Sequence, residues 1–218
     1  VCPSSALRMK VPTPVGALAA SLISGGNWQV QQMAGSMTER TVHSKFDSRP
    51  GDVMLRVPGS RLITEQHGAR TPLGRIALSL EGTTGNDLLC CWLSTAAAAA
   101  ASGVVGNDDS QLYFRSLPTA SDLGNIPLLW KCADLQLLRG SHLRDEVLDR
   151  KRVSAKYADA LKAGGHATTA GGDDESAAAA RSLTADTWLW AQAIVKSRGF
   201  RVQHPNTGEL ITVLCPLA

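Results

Sequence analysis

Short apolar runs closed by proline or glycine mark the first legible stretch of the chain. Val53-Met54-Leu55-Arg56-Val57-Pro58 follows the turn Arg49-Pro50-Gly51-Asp52, and Arg61-Leu62-Ile63-Thr64 follows Gly59-Ser60. Both read as strands between breakers, and the second is expected to pair with the first. From Leu73 to Ala101 the apolar spacing turns helical (Ile76 and Leu80, then Leu88, Leu89 and Trp92), with an interruption near Gly82 to Gly85, so two helices are predicted. A Gly-, Asn- and Asp-rich loop separates them from Leu112 to Pro118, and a short helix is expected around Ala133 to Leu138, stopped by Gly140.

Ser141 can cap a long helix from His142 to about Ala163. Leu143, Val147, Tyr157 and Leu161 are expected on its buried side, with Arg144, Asp145, Glu146, Asp149, Arg150, Lys151 and Arg152 on the wet one. Ala163 to Arg181 is poor in aromatic and branched residues and reads as a mobile loop, because it has little to bury against the entropy of ordering. Thr184 then caps another helix, with Asp186 in its first turn, running through Trp188, Leu189, Trp190, Ile194 and Val195 to Arg198, where Gly199 stops it. The turn Pro205-Asn206-Thr207-Gly208 leads into Leu210 to Leu214, a branched apolar run that reads as a strand.

Composition narrows the function classes without naming one. The 218 residues carry a formal charge of +3 and are 44% hydrophobic, an ordinary globular balance with no nucleic-acid footprint. Leu88 to Val105 is uncharged over a length that could span a bilayer, but alanine, serine and threonine at its centre supply little transfer energy, so no membrane partner is expected. Cys2, Cys90, Cys91, Cys132 and Cys215 are odd in number and scattered, which favours a reducing, intracellular compartment. The first 38 residues hold Arg8 and Lys10 but no acid, a composition compatible with an organellar, for example plastid, targeting remnant.

The search for chemistry is mostly negative. His43, His67, His142, His166 and His204 show no metal-ligand spacing, and no metal site is expected. Glycine-rich dinucleotide and phosphate loops, the GxSxG elbow and HExxH are all missing from the sequence. Acid pairs such as Asp108-Asp109, Asp173-Asp174 and Asp145-Glu146 lie on polar stretches, and Trp130, Trp188 and Trp190 sit in apolar contexts where core packing is the default.

The order of segments is more telling than any single motif. Pro50 to Pro58 before a Leu-Ile-Thr run, Tyr113 through Leu117-Pro118, Ile126-Pro127-Leu128-Leu129-Trp130 with Leu138-Arg139-Gly140-Ser141, and Trp188-Leu189-Trp190-Ala191 through Val195-Lys196-Ser197-Arg198 follow one another at consistent spacing. In that order the chain resembles the split SET-domain protein methyltransferases related to the Rubisco large-subunit methyltransferase. Ser21 to Val30 is similar to the family's lead-in helix and glycine pair. The resemblance implies an α+β partial split SET domain. It divides into a lead-in (1–38), a short β-rich N-terminal part (39–65), a helical insert (66–183) and the start of the C-terminal part (184–218).

It also implies transfer of a methyl group from S-adenosylmethionine to a protein substrate, on a lysine or, as a second choice, a histidine side chain. Such chemistry needs a neutral amine, although free lysine has a pKa of about 10.4, and an in-line geometry held by the protein. Arg198 matches the arginine that ends the family's tryptophan helix and contacts the cofactor, where a guanidinium can grip a carboxylate with two hydrogen bonds. Arg201 lies near a family substrate-contacting arginine, one residue out of step. No catalytic residue is placed. Tyr113, Trp130 and Trp188 match packing positions and are expected in the core.

Two departures accompany the likeness. Thr38 to Phe46 has no glycine where the family brings bare backbone to the cofactor, and the text stops at Pro216-Leu217-Ala218, before an Asp-x-x-Asn-His segment and a later tyrosine. The chain alone is therefore expected to bind cofactor weakly or not at all and to lack turnover, most simply as a monomer. The competing expectation is a catalytically dead SET-like protein-interaction module, and a third is a helical scaffold with accidental likeness.

Overall fold

The computed structural model describes residues 28–32, 40–44, 49, 57–103, 109–169, 174–204 and 207–215. Within them the chain is mixed helix and strand and mostly helical. β1 (Trp28–Gln32) and β2 (Arg40–Ser44) form one antiparallel pair, with Trp28 opposite Ser44. A helical block follows: α1 (Glu65–Ala69), α2 (Pro72–Ala77), α3 (Gly85–Ala101), α4 (Asp109–Ser116), α5 (His142–Thr169), α6 (Asp174–Ser182) and α7 (Ala185–Arg198). β3 (Gly199–Gln203) and β4 (Leu210–Leu214) close the described chain as a second antiparallel pair.

The centre of the block is α3. Thr84 starts it through a reciprocal cap: its Oγ1 accepts from the Asp87 amide at 3.3 Å, and Asp87 Oδ2 accepts from the Thr84 amide at 3.0 Å. Leu88, Leu89, Cys90, Cys91, Trp92 and Leu93 are all buried in succession. A helix apolar all round belongs inside other helices, and α3 packs against α1, α2, α7 and β4. No helix among the described residues is long and apolar enough to cross a membrane.

The capped helices start where the sequence places their caps. Ser141 Oγ accepts from the Leu143 amide at 3.2 Å at the head of α5, and Thr184 Oγ1 accepts from the Thr187 amide at 3.0 Å at the head of α7. On α5, Val147, Ser154, Ala158, Leu161 and Gly165 form the buried stripe, one residue every three, four or seven. Leu143 is not on it: it is 43% exposed, a correction to the expected face.

The larger correction concerns residues 163–181. Far from being a loop, this stretch carries α5 on to Thr169 and then forms α6. The glycine pair is the reason. A Cβ on Gly165 would overlap the Ala180 methyl, and one on Gly164 would overlap the Ile76 side chain, so bare backbone lets α6 and α2 approach α5 closely. Small residues then bury what branched ones would have held apart: Ser176, Ala177 and Ala180 of α6 are inaccessible, and Ser176 Oγ donates to the Pro72 carbonyl at 3.1 Å.

The expected hairpin of residues 53–57 with 61–64 is also revised. Residues 53–56 lie outside the described residues, Gly59–Arg61 is a single 3-10 turn, and α1 begins at Glu65. Only Ile63 keeps strand character. Its amide donates to the Leu214 carbonyl at 3.0 Å, and the Leu214 amide returns a bond to the Ile63 carbonyl at 2.9 Å. Residues Asp134–Leu138 form a 3-10 turn in place of a short α-helix, with Gly140 at φ 85° after it.

Of the three expected core aromatics, Tyr113 and Trp188 are completely buried. Trp130 is half-buried at the margin, its Nε1 donating to the Gly124 carbonyl at 2.7 Å. Trp188 stacks on Tyr157 with ring centroids 5.2 Å apart, joining α7 to α5. Trp190 anchors α4 instead: it donates to the Pro118 carbonyl at 2.9 Å and meets the edge of Phe114.

Candidate functional site

The end of α7 is where helical block and β strands meet. Val195 is buried there, Gly199 leaves the helix directly into β3, and Gly199 pairs with Leu214 across the hairpin. Leu214 in turn bridges to Ile63. A residue at position 198 therefore sits beside both the entry to and the exit from the helical block.

Arg198 occupies that position half-buried, and the contact seen for its guanidinium is a 3.3 Å hydrogen bond from Nη1 to the neighbouring Ser197 hydroxyl. Ser197 is itself turned back onto the helix, donating to the Ala193 carbonyl at 2.7 Å. Most of the guanidinium fork is thus uncommitted among the described residues, as a grip on a carboxylate requires. Its position at the helix C-terminus also compensates the macrodipole, so the charge is favourable there before any ligand arrives.

Tyr113 is the group at this corner that the sequence assigned to packing alone. The ring is fully buried, and its hydroxyl has no hydrogen-bond partner among the described residues. Burial pushes the phenol well above its usual range, opposed in part by the positive charge of Arg198 and reinforced by Cys215. The hydroxyl is therefore a neutral group that feels the charge of Arg198. An aromatic within Leu112 to Leu117 signals core, and no local pattern distinguishes a tyrosine with a satisfied hydroxyl from one without.

Arg201 stands on β3 opposite Thr212 and is exposed. The structure gives the two arginines different settings: Arg198 is held at the junction, and Arg201 projects from the hairpin.

A separate cleft of about 500 Å³ opens between the start of α3, the first half of α5 and the last turns of α7. Asp145, Glu146 and Asp149 line it from α5, Gln192 and Lys196 from α7, and buried Ser154 fixes Gln192 through a 2.7 Å hydrogen bond to its Oε1. Arg198 and Arg201 are not among its lining residues. The carboxylates are largely satisfied by neighbours on α5: Glu146 by Arg150 at 2.6 Å and Asp149 by Arg152 at 2.7 Å. They form the solvated face expected from the helical pattern.

The thiols sort by burial. Cys90 and Cys91 are enclosed by α3's neighbours, and burial raises both, Cys91 to about 12, with Asp87 adding in the same direction. They remain protonated and unreactive at neutral pH. Cys132 is exposed. Comparison with known proteins adds no further guide, since no family model matches the chain and no curated protein sequence matches it.

Proposed function

We propose that the chain belongs to an S-adenosylmethionine-dependent protein methyltransferase of split SET architecture, acting on a protein lysine. The observation that carries this reading is the antiparallel bridge between Ile63 and Leu214. It ties the segment before the helical block to the last strand after it. That is what a β domain interrupted by a helical insert requires: the two halves must pair across roughly the whole length of the insertion.

Arg198 supports the same reading, being half-buried beside that junction with donors to spare. When bound, the cofactor would supply an electrophilic methyl group. The role of this chain is to orient it: Arg198 would pair with the carboxylate through two parallel N–H donors and hold it against the end of α7. Arg201, exposed on β3, is proposed to meet the protein substrate. The target amine must arrive uncharged, which burial favours because desolvation lowers a lysine pKa.

Calorimetry with S-adenosylmethionine on the chain tests this directly. Weak binding is expected, and Arg198→Ala should weaken it about tenfold, in line with the loss of a charge-assisted hydrogen bond. Absence of binding, or binding that Arg198→Ala leaves unchanged, would overturn the assignment.

A further inference from the structure

The junction that joins the two halves is flanked by a titratable cap. α1 begins at the residue after Thr64, and Thr64 itself follows Ile63, so the cap and the bridge share adjacent peptides. The Thr64 amide donates to Nδ1 of His67 at 3.1 Å, and the Thr64 hydroxyl lies at the same distance from that nitrogen. Nδ1 can accept only in neutral imidazole with its proton on Nε2. Protonation turns Nδ1 into a donor that can reach only the Thr64 hydroxyl, so the Thr64 amide loses its acceptor and that half of the cap is lost.

We propose that His67 is a proton-operated latch on the seam between the two halves of the chain. When neutral, it holds the Thr64 amide and steadies the Ile63–Leu214 bridge; when protonated, it frees that amide and loosens the bridge.

The surroundings bias the latch toward the neutral, closed form. Partial burial lowers the His67 pKa from its usual value, and the nearby positive charge of Arg70 lowers it further. On the same helix Glu65 lies two residues away, its carboxylate against Gly85. The packed helices offer little more: Arg75 of α2 is paired with Glu175 at 3.1 Å, Asp87 of α3 is engaged by the Thr84 cap, and Cys90 and Cys91 are held neutral.

Because the folded pKa is depressed, the cap is fully present above the ordinary histidine value of about 6.5 and is lost as pH falls through the folded value. α1 cannot simply shift to compensate, because Gly68 lies with its backbone against the Leu88 carbonyl of α3 and a Cβ there would overlap it.

Hydrogen exchange of the Ile63, Thr64 and Leu214 amides, corrected for intrinsic pH dependence, tests the latch in the whole chain. Between pH 8 and pH 5 their opening is expected to rise about fivefold, the ratio that corresponds to losing one N-cap of ordinary strength. His67→Gln, whose side-chain oxygen can accept from Thr64 at any pH, should abolish that dependence and keep protection high. His67→Ala should open the same amides at every pH. An NMR titration must place the His67 pKa below that of free histidine. A raised pKa, or equal pH dependence in wild type and His67→Gln, would overturn the proposal.

Discussion

Between Glu65 and Arg198, helix packs on helix, and Leu89, Leu93, Leu161 and Trp188 have no measurable exposure; across the junction, the β3–β4 hairpin leaves Phe200 52% and Leu210 61% exposed. The block is held by interlocked side chains and close glycine contacts. The hairpin depends on Val213, Leu214 and a bridge of two hydrogen bonds. An isolated two-stranded hairpin is marginal in water, so this one draws its stability from the block it leans on. Rigidity and exposure are thus divided: the block fixes the end of α7 with Arg198, whereas Arg201 lies on the hairpin, where local opening is easiest.

The comparison breaks most visibly at Trp188. Trp188→Ala removes the ring that stacks between α7 and α5, with an expected cost of about 4 kcal/mol, and urea unfolding should show the whole block lose stability together. Leu214→Ala tests the other side. It is expected to cost about 3 kcal/mol, and hydrogen exchange should show the loss concentrated in residues 199–214 while α3 and α7 stay protected. Equal loss throughout α3 would mean that hairpin and block form one cooperative unit.

A smaller effect sharpens the description of the block. The Thr83 hydroxyl lies 2.7 Å from the Ala77 carbonyl, 3.1 Å from the Leu80 carbonyl and 2.8 Å from the Tyr157 hydroxyl, with which it shares a hydrogen bond. Burial also pushes the Tyr157 phenol up to about 12. Tyr157→Phe is expected to cost about 1 kcal/mol in chemical denaturation without changing the exchange of β3 and β4. Altered hairpin exchange would show that the two regions are coupled through α5.

Much of the helical block was legible because its signals are local. Thr184 with Asp186, Gly199 after Arg198, and Ser141 before His142 act within one turn of chain, and the structure places α5 and α7 at those starts. The misreadings have a common cause. Ala163 to Arg181 looks like a loop because it has few aromatic or branched side chains to bury, yet its glycine pair is selected by the closeness of Ala180 and Ile76, which no short window contains. Ile63 looked like one strand of a local hairpin because its observed partner is 151 positions later, at Leu214.

The candidate site divides in the same way. Arg198 is marked by its position at the end of a capped tryptophan helix, so the sequence alone could single it out. Tyr113 could not be singled out: whether its hydroxyl finds a partner depends on what α4, α7 and β4 bring together. From its own order of residues the chain determined where most helices start, which faces they bury and which arginine ends α7, because caps and amphipathic periods are short-range physics. Only the tertiary structure decided that the glycine pair continues a helix, that Ile63 reaches the last strand and that His67 caps beside it, because close packing and strand pairing depend on partners that no local window contains.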